Sequence, residues 1–170
     1  IARDIAGSFN HVYGPTFVLP EAGIDEDLAT IPGIDGQKMS KSYGNAIDIF
    51  LEKDELKRRV MAIVTDAKAV SDVKDPETCN IFGIYRLFLS PEGQAELRER
   101  YLKPGLKYSV VKKELIETIW DYFAPYREQR YALAKKPDEV RQIMAAGAIK
   151  ARKVATITMD AVKEKVGLIY

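Results

Sequence analysis

Apolar residues recur every three or four positions along most of this chain, the spacing that places them on one face of a helix. Ile1, Ile5 and Phe9 follow that spacing and predict a helix that ends near residues 10–14. The run Thr16-Phe-Val-Leu19 is β-branched and apolar, and a proline follows it, so it predicts a short buried strand. The chain is therefore predicted to open with a helix that leads into a strand.

Helix-capping signals divide the remainder of the chain into further helices. A capping residue followed by proline and glutamate is typical of a helix start, and this pattern occurs at Asp75 and at Ser90. A proline inside a helical pattern predicts a kink. The predicted helices run over residues 53–64, from Asp75 past Phe88, from Ser90 to Leu102, from Ser109 with a kink at Pro125, and from Glu139 to about Val166.

The predicted elements indicate an α/β first third and an all-helical last half, with a hinge near residues 65–74, so the chain is mostly helical overall. Open α/β sheets bind ligands at the carboxyl ends of their strands, which is where the segment after the predicted strand would lie. The basic residues 57–59 are expected on the solvated face of their helix, and a phosphate contact is the alternative.

The segment from Ile31 to Asn45, called the lysine loop below, concentrates the chemistry of the chain. Its centre, Lys38-Met-Ser-Lys-Ser42, supplies ammonium groups, hydroxyls and backbone donors in adjacent positions. Glycines at positions 33, 36 and 44 allow positive φ angles and close backbone approach. Such a loop suits a polyphosphate, because its lysines can move toward charge that develops on a transferring phosphate. A solvated surface turn is the alternative interpretation.

Composition excludes several classes of protein. A chain of 170 residues with 46% apolar and 30% charged residues is typical of a globular protein, not of a disordered or membrane chain. No apolar run approaches the roughly 18 residues of a membrane-spanning helix. Cys79 and His11 are the only residues of their types, which excludes an internal disulfide and a cysteine-based metal cluster. No metal site is expected, and a reducing cytoplasmic location fits this cysteine usage.

The net charge of +1 hides an asymmetry between the two parts of the chain. Residues 1–100 hold 12 basic against 17 acidic side chains, whereas residues 101–170 hold 14 against 8. The basic second part is the expected nucleic-acid face, and lysines that merely solvate long helices are the alternative.

The lysine loop and several other stretches resemble bacterial-type tryptophanyl-tRNA synthetases, a family of class I aminoacyl-tRNA synthetases. Lys38-Met-Ser-Lys-Ser42 matches the second signature of that class letter for letter, and Pro-Gly-Ile-Asp-Gly before it and Tyr-Gly-Asn after it are its usual surroundings. One departure is Ser109, where the family's Gly-x-x-Tyr-Gly-x-x-Lys stretch has glycine. The other matching stretches are Arg3–Ala6 with Phe9 and Asn10, Tyr13-Gly14, Phe17, Pro20-Glu21, Gly105 to Lys112, Ala124 to Tyr131, and Gly147 to Leu168.

The resemblance implies a fold and a division into domains. Residues 1–64 would be the C-terminal part of a Rossmann-type catalytic domain that carries the lysine loop. Residues 65–170 would be a helical domain that binds tRNA near the anticodon. The intact enzyme is expected to be a homodimer.

The resemblance also implies a two-step reaction. Tryptophan and ATP, with Mg²⁺ on the ATP phosphates, would give tryptophanyl-adenylate and pyrophosphate, and the acyl group would then pass to tRNA(Trp). Lys38 and Lys41 would be the catalytic residues that hold the β- and γ-phosphates, with Lys41 the more important for rate. Ser40 and Ser42 would add hydrogen-bond donors to ATP, and Met39 would pack the closed loop.

Two further groups of residues acquire expected roles in this way. The segment Ala29, Thr30 and Ile31 would border the adenine of ATP through its backbone. Basic side chains near the end of the chain would contact tRNA phosphates. The candidates for that role are Lys135, Lys136, Lys150, Arg152 and Lys153.

Part of the expected active site has no match in this sequence. The family's other signature, of the His-Ile-Gly-His type, and the pocket that binds the indole have no counterpart between Ile1 and Tyr170, and the chain starts without methionine inside a predicted helix. The sequence is therefore expected to be a fragment that does not form the adenylate by itself. The alternatives are a tyrosyl-tRNA synthetase fragment, a non-catalytic helical RNA-binding module, and another nucleotidyl transferase with a lysine loop.

Overall fold

The computed structural model describes residues 1–24 and 30–168, and within them the protein is mostly helical. The helices are α1 (Ala2–Tyr13), α2 (Lys53–Met61), α3 (Asn80–Tyr85), α4 (Pro91–Tyr101), α5 (Tyr108–Tyr122), α6 (Ala124–Ala134) and α7 (Pro137–Lys165). Short 3₁₀ turns cover Lys41–Tyr43 and Arg86–Phe88. Within the described residues, no helix combines the length and apolar character that crossing a bilayer requires.

The chain forms two compact units. One consists of Ile1–Ile24 and Tyr131–Tyr170, and the other of Asp25–Arg130. The boundary therefore falls inside α6, and the lysine loop shares a unit with α2 to α5. This grouping differs from the predicted division at residues 64 and 65, which stays a prediction about the domains of the intact protein.

The second unit has a hydrophobic core in which α2 packs against α5, and α3 and α4 complete the enclosure. Removal of such side chains from water stabilises the fold by roughly 1.5–3 kcal/mol for each large apolar residue. The predicted inward face of the 53–64 helix is confirmed, since its apolar side chains are in this core. The most deeply buried members are Val60, Ile81, Tyr101, Val111 and Leu115, each 0% exposed.

The predicted buried strand at residues 16–19 is wrong. Val18 is 94% exposed, and no strand occurs in the described parts of the chain. The side-chain amide of Asn10 takes the place of a partner strand: its Oδ1 accepts from the backbone N–H groups of Thr16 and Phe17 at 3.0 and 2.9 Å, and its Nδ2 donates to Phe17 O at 2.8 Å. The segment is thus held against the end of α1 as an irregular loop.

The helix-capping signals give mixed results. Ser90 caps α4 as predicted, because its hydroxyl accepts from Gly93 N at 3.3 Å. The start at Asp75 is wrong: its carboxylate accepts from Glu77 N at 2.9 Å and holds a turn, and α3 begins only at Asn80. The start at Ser109 is also wrong, since α5 begins one residue earlier and Lys107 occupies its N-cap. At Pro125 the predicted kink is a break between α5 and α6.

Candidate functional site

The neck of the lysine loop is a short antiparallel pairing. Pro32 and Lys38 form an isolated β-bridge, and Met39 N donates to Ile31 O at 2.8 Å. Beyond the neck, Gly33 N donates to Gln37 O at 2.7 Å. Two predicted site residues, Ile31 and Met39, are therefore direct neighbours, and both are half-buried.

The side chain of Asn45 holds the interior of the loop together. It is 2% exposed, its Oδ1 accepts from Ser40 N at 2.7 Å, and its Nδ2 donates to Asp35 Oδ1 at 2.9 Å and to Lys38 O at 3.2 Å. Its backbone O accepts from Ile34 N at 3.0 Å. A single buried amide thus connects the approach, the centre and the exit of the loop.

Gly33 makes room for that amide. A Cβ atom on Gly33 would lie 2.5 Å from Asn45 Nδ2 and 2.9 Å from Asn45 O, distances that real side chains do not reach. The predicted close backbone approach is confirmed at this position. The predicted positive φ is confirmed at Gly36 and Gly44, whose φ angles are 83° and 67°.

The exit of the loop is a 3₁₀ turn that ends in a left-handed glycine. Gly44 N donates to Lys41 O at 3.1 Å, and Gly44 O accepts from Arg59 Nη1 at 2.8 Å. Lys38, Lys41 and Ser42 have exposed side chains, while Ser40 is half-buried. The loop therefore has a fixed base and presents its two ammonium groups to solvent.

An open cavity of about 720 Å³ lies on one side of this turn. Its polar side chains are Ser40 and Lys41 of the loop, Asp48 after it, and Arg59 of α2, which also pairs with Glu55 at 3.7 Å. The Asp48 carboxylate accepts from Phe50 N at 2.8 Å, so it also shapes the adjoining turn. The Lys41 ammonium group and the Ser40 hydroxyl beside an open cavity suit a phosphorylated ligand. The complete lining is Met39, Ser40, Lys41, Gly44, Ala46, Ile47, Asp48, Ile49, Phe50 and Arg59.

The remaining predicted ATP-binding residues are placed as follows. Thr30 is exposed immediately before the neck of the loop. Ala29 lies outside the described residues. No group of three or more metal-ligating side chains occurs within the described parts of the chain.

The predicted tRNA-binding residues lie in the unit that contains α7. All five are exposed, and in the described residues Lys150, Arg152 and Lys153 make no ion pair, whereas Lys136 pairs with Glu139 at 3.0 Å. At 1.5 Å rise per residue, α7 separates Lys136 from Lys150 by about 20 Å. The candidates therefore form two exposed basic groups and not one cluster.

Comparison with known proteins decides the family. The family described as tRNA synthetases class I (W and Y) matches residues 1–124. The chain belongs to this family. One relative, the tryptophan–tRNA ligase of Campylobacter jejuni (strain RM1221), is 48% identical to this chain over 168 residues. The match covers 99% of this chain and 53% of the relative. The tryptophan–tRNA ligase of Rhodopirellula baltica is 42% identical over 99% of this chain and 52% of the relative.

Solved structures agree with this assignment. The crystal structure of C. jejuni tryptophanyl-tRNA synthetase complexed with ADP and tryptophan matches with a TM-score of 0.78 and 47% identity, over 98% of this chain and 52% of that one. A second structure of the same synthetase matches with a TM-score of 0.72 and 48% identity, over 99% of this chain and 52% of that one. The synthetase chain described here thus spans about half the length of the relatives it matches.

Three residues that shape the site belong to stretches named in the sequence analysis but received no individual role there: Asn45, Asp35 and Arg59. Asn45 stands directly after a left-handed glycine, a position that could have marked it as a residue of the turn. Its side chain binds Asp35, ten residues earlier, and a contact at that separation does not follow the helical or strand spacing of a sequence pattern. Arg59 belongs to the basic group 57–59. Both Arg58 and Arg59 pair with Glu55, and Arg59 also donates to Gly44 O.

Proposed function

We propose that this chain supplies the lysine loop and the helical part of a tryptophan–tRNA ligase. The observation that carries the proposal is the loop whose backbone Asn45 holds, with Lys38 and Lys41 exposed at its centre, in a chain 48% identical to a tryptophan–tRNA ligase. The chain would be the C-terminal half of the enzyme, since the lysine loop is the second signature of its class.

The reaction proceeds in two steps. The carboxylate of tryptophan attacks the α-phosphate of MgATP, a P–O bond to the leaving pyrophosphate breaks, and tryptophanyl-adenylate forms. A hydroxyl of the terminal adenosine of tRNA(Trp) then attacks the acyl carbon and releases AMP. Class I synthetases achieve the first step by positioning the reactants and stabilising charge.

The lysine loop acts on the leaving pyrophosphate. Lys38 and Lys41 hold the β- and γ-phosphates, and Lys41 has the greater effect on rate because it lines the cavity beside the turn. Ser40, Ser42 and nearby backbone N–H groups add donors. Mg²⁺ arrives with ATP as part of the substrate, bound through its phosphates. The ammonium and hydroxyl groups of the loop bind phosphate oxygens, and Mg²⁺ is bound by the phosphates of ATP.

The neck of the loop borders the adenine. Thr30 and Ile31 present backbone groups to the base; Ala29, the third residue predicted for this role, lies outside the described residues. The backbone N–H of Met39 donates to Ile31 O and holds the centre of the loop beside this segment. Closure of the loop over ATP would then exclude water from the phosphates.

The basic residues of the helical part bind tRNA. Lys135 and Lys136 form one contact region, and Lys150, Arg152 and Lys153 form the second. Their separation of about 20 Å along α7 suits phosphates more than one nucleotide apart on the same RNA.

In the intact enzyme, residues 1–64 complete a Rossmann-type catalytic domain, and residues 65–170 form the helical tRNA-binding domain. The enzyme acts as a homodimer in the cytoplasm. The indole pocket and the His-Ile-Gly-His signature are contributed by chain outside this sequence, so the 170-residue chain does not form the adenylate alone.

Amino-acid-dependent ATP–pyrophosphate exchange tests the proposal. The full-length protein that contains this chain is expected to exchange with tryptophan and not with tyrosine, and to charge tRNA(Trp). The isolated chain is expected to show no exchange. Exchange with tyrosine alone would assign the other specificity, and full-rate exchange by the isolated chain would refute its incompleteness.

A further inference from the structure

Lys112 of α5 is a buried ammonium group that the proposed chemistry does not use. Its residue is 8% exposed, and Nζ donates to Met61 O at 2.9 Å and to Ile63 O at 2.7 Å. Within the described residues it forms no ion pair with a carboxylate. Burial lowers the pKa of this lysine, since desolvation disfavours its charged form. Burial of a charged group costs free energy unless polar partners compensate it. The two carbonyls are the partners of Lys112, and their place in the fold indicates what the residue does.

Those carbonyls belong to the end of α2 and the residues just after it. The last carbonyls of a helix lack partners within the helix, and the negative end of its dipole favours a cation there. Lys112 therefore fixes the path of the chain as it leaves α2 at Met61 and turns toward residues 62–64.

The segment that leaves α2 holds the upstream half of the lysine loop. Val64 N donates to Ile34 O at 2.7 Å, directly after the Ile63 carbonyl that Lys112 binds. Ile34 N in turn donates to Asn45 O at 3.0 Å. The side chain of Asn80 also donates to Val64 O at 2.9 Å, and a Cβ on Gly36 would lie 2.9 Å from Asn80 Nδ2.

The body of α2 holds the downstream half of the loop. Arg59, two residues before Met61, donates to Gly44 O at 2.8 Å. The exit of the lysine loop is thus bound by α2 and its approach by the segment directly after α2, and Lys112 binds the carbonyls where the two join.

We propose that Lys112 is a positioning residue for the lysine loop: by binding the carbonyls of Met61 and Ile63, it sets where α2 places Lys38 and Lys41. The catalytic part of this inference rests on the function proposed above. The structural part, that Lys112 limits opening of the loop, does not.

Limited trypsin digestion tests the structural part in the full-length protein. Lys112→Met keeps a long apolar side chain but removes the donor, Lys112→Arg keeps donors, and Lys113→Met is the matched control at an exposed neighbour. Lys112→Met is expected to raise the rate of cleavage after Lys41 about tenfold, with no change after Arg100 in α4, since local opening governs cleavage. Lys113→Met should digest like the unmodified protein, and Lys112→Arg should restore most of the protection.

Two digestion outcomes would overturn the proposal. An unchanged rate after Lys41 would mean that Lys112 does not restrain the loop. An equal increase after Arg100 would mean that Lys112 only stabilises the whole unit.

Kinetics test the catalytic part. If the unmodified protein shows no tryptophan-dependent exchange, the proposed function fails, and the digestion result still decides the structural part. If it is active, Lys112→Met is expected to lower kcat for exchange by about tenfold to a hundredfold, because small misplacements of positioning groups have effects of that size. KM for tryptophan should change by less than about twofold, since the amino-acid pocket is unaltered. Recovery with Lys112→Arg supports the proposal, and an unchanged kcat contradicts it.

Discussion

Asn45 donates its side-chain amide to Asp35 Oδ1 at 2.9 Å across the inside of the lysine loop, and its Oδ1 accepts from Ser40 N at 2.7 Å. Both bonds are formed by a side chain that is 2% exposed, so neither competes freely with water. The loop therefore separates two tasks by residue: Asn45 holds the backbone, and Lys38 and Lys41 remain exposed for a ligand.

Asn45→Ala is expected to lower the free energy of unfolding by about 1–3 kcal/mol, because it leaves the N–H group of Ser40 without its buried acceptor. Urea denaturation of the two proteins side by side measures the loss.

Asn45→Asp is the matched variant: its oxygen still accepts from Ser40 N, but its charge faces Asp35 at short range. It should therefore also destabilise, because two like charges would lie within hydrogen-bond distance of each other. A free energy of unfolding equal to that of the unmodified protein would contradict the repulsion argument.

Gly33→Ala tests the close approach at the base of the loop. The new methyl group would lie 2.5 Å from Asn45 Nδ2, so the amide must shift, and we expect a loss of about 1–3 kcal/mol in the free energy of unfolding. Gly147→Ala in α7 is the control, since a Cβ there has nothing within 4 Å. It should stabilise the helix by roughly 0.5–1 kcal/mol. Thermal unfolding of both variants measures whether stability falls in Gly33→Ala and rises in Gly147→Ala. Equal changes in stability would contradict the packing argument.

The fold was predictable where the signal is local. Ser90 and the proline after it set the start of α4, and α7 ends at Lys165, close to the predicted Val166, with Gly167 following at a φ of 76°. Prediction failed where a polar side chain binds the backbone of a nearby segment and so replaces the regular element that the pattern predicts. Residues 16–19 have strand propensity, but the side chain of Asn10 satisfies their backbone groups. Asp75 has the chemistry of a cap and uses it to close a turn before α3.

The same distinction applies to the site. The lysines and glycines of the loop are recognisable from the sequence because their types and spacing carry the chemistry. The contacts that fix the loop are not, although Asn45 and Lys112 stand in the matching stretches. Arg59 donates to Gly44 O from α2, and Lys112 donates to Ile63 O, 49 positions earlier. A burial pattern cannot reveal Lys112 either, because lysine is rarely buried.

Lys41→Ala in the full-length protein is expected to lower kcat for tryptophan-dependent exchange by about 10²–10³-fold, the usual effect of removing a group that stabilises developing charge. Binding of tRNA, measured by filter binding, should be unchanged. Lys38→Ala should have a smaller effect on kcat, and Lys68→Ala, a change of an exposed lysine outside the loop, should have none. Unchanged kcat in Lys41→Ala with intact tRNA binding would favour the non-catalytic RNA-binding module.

Replacement of Lys150, Arg152 and Lys153 by alanine is expected to weaken tRNA binding without changing kcat for exchange. If each side chain binds a phosphate, the slope of log Kd against log salt should fall by about 1 for each side chain replaced. Binding titrations at several salt concentrations measure the slope. An unaltered slope would mean that these side chains only solvate α7.

Arg127 and Trp120 provide a test of a structural cation, separate from the proposed chemistry. The Arg127 guanidinium is stacked 3.5 Å from the centre of the Trp120 ring and donates to Trp120 O at 2.5 Å, and the residue is 6% exposed. Arg127→Ala should therefore lower the free energy of unfolding by roughly 2–4 kcal/mol, because it removes the cation–π interaction and leaves a carbonyl unsatisfied. Arg127→Lys should recover only part of this loss of stability, because an ammonium group cannot stack as a planar guanidinium does.

Trp120 is the only tryptophan of the 170-residue chain, so its fluorescence reports directly on this stacking. An emission spectrum and a stability that are unchanged in Arg127→Ala would contradict the stacking.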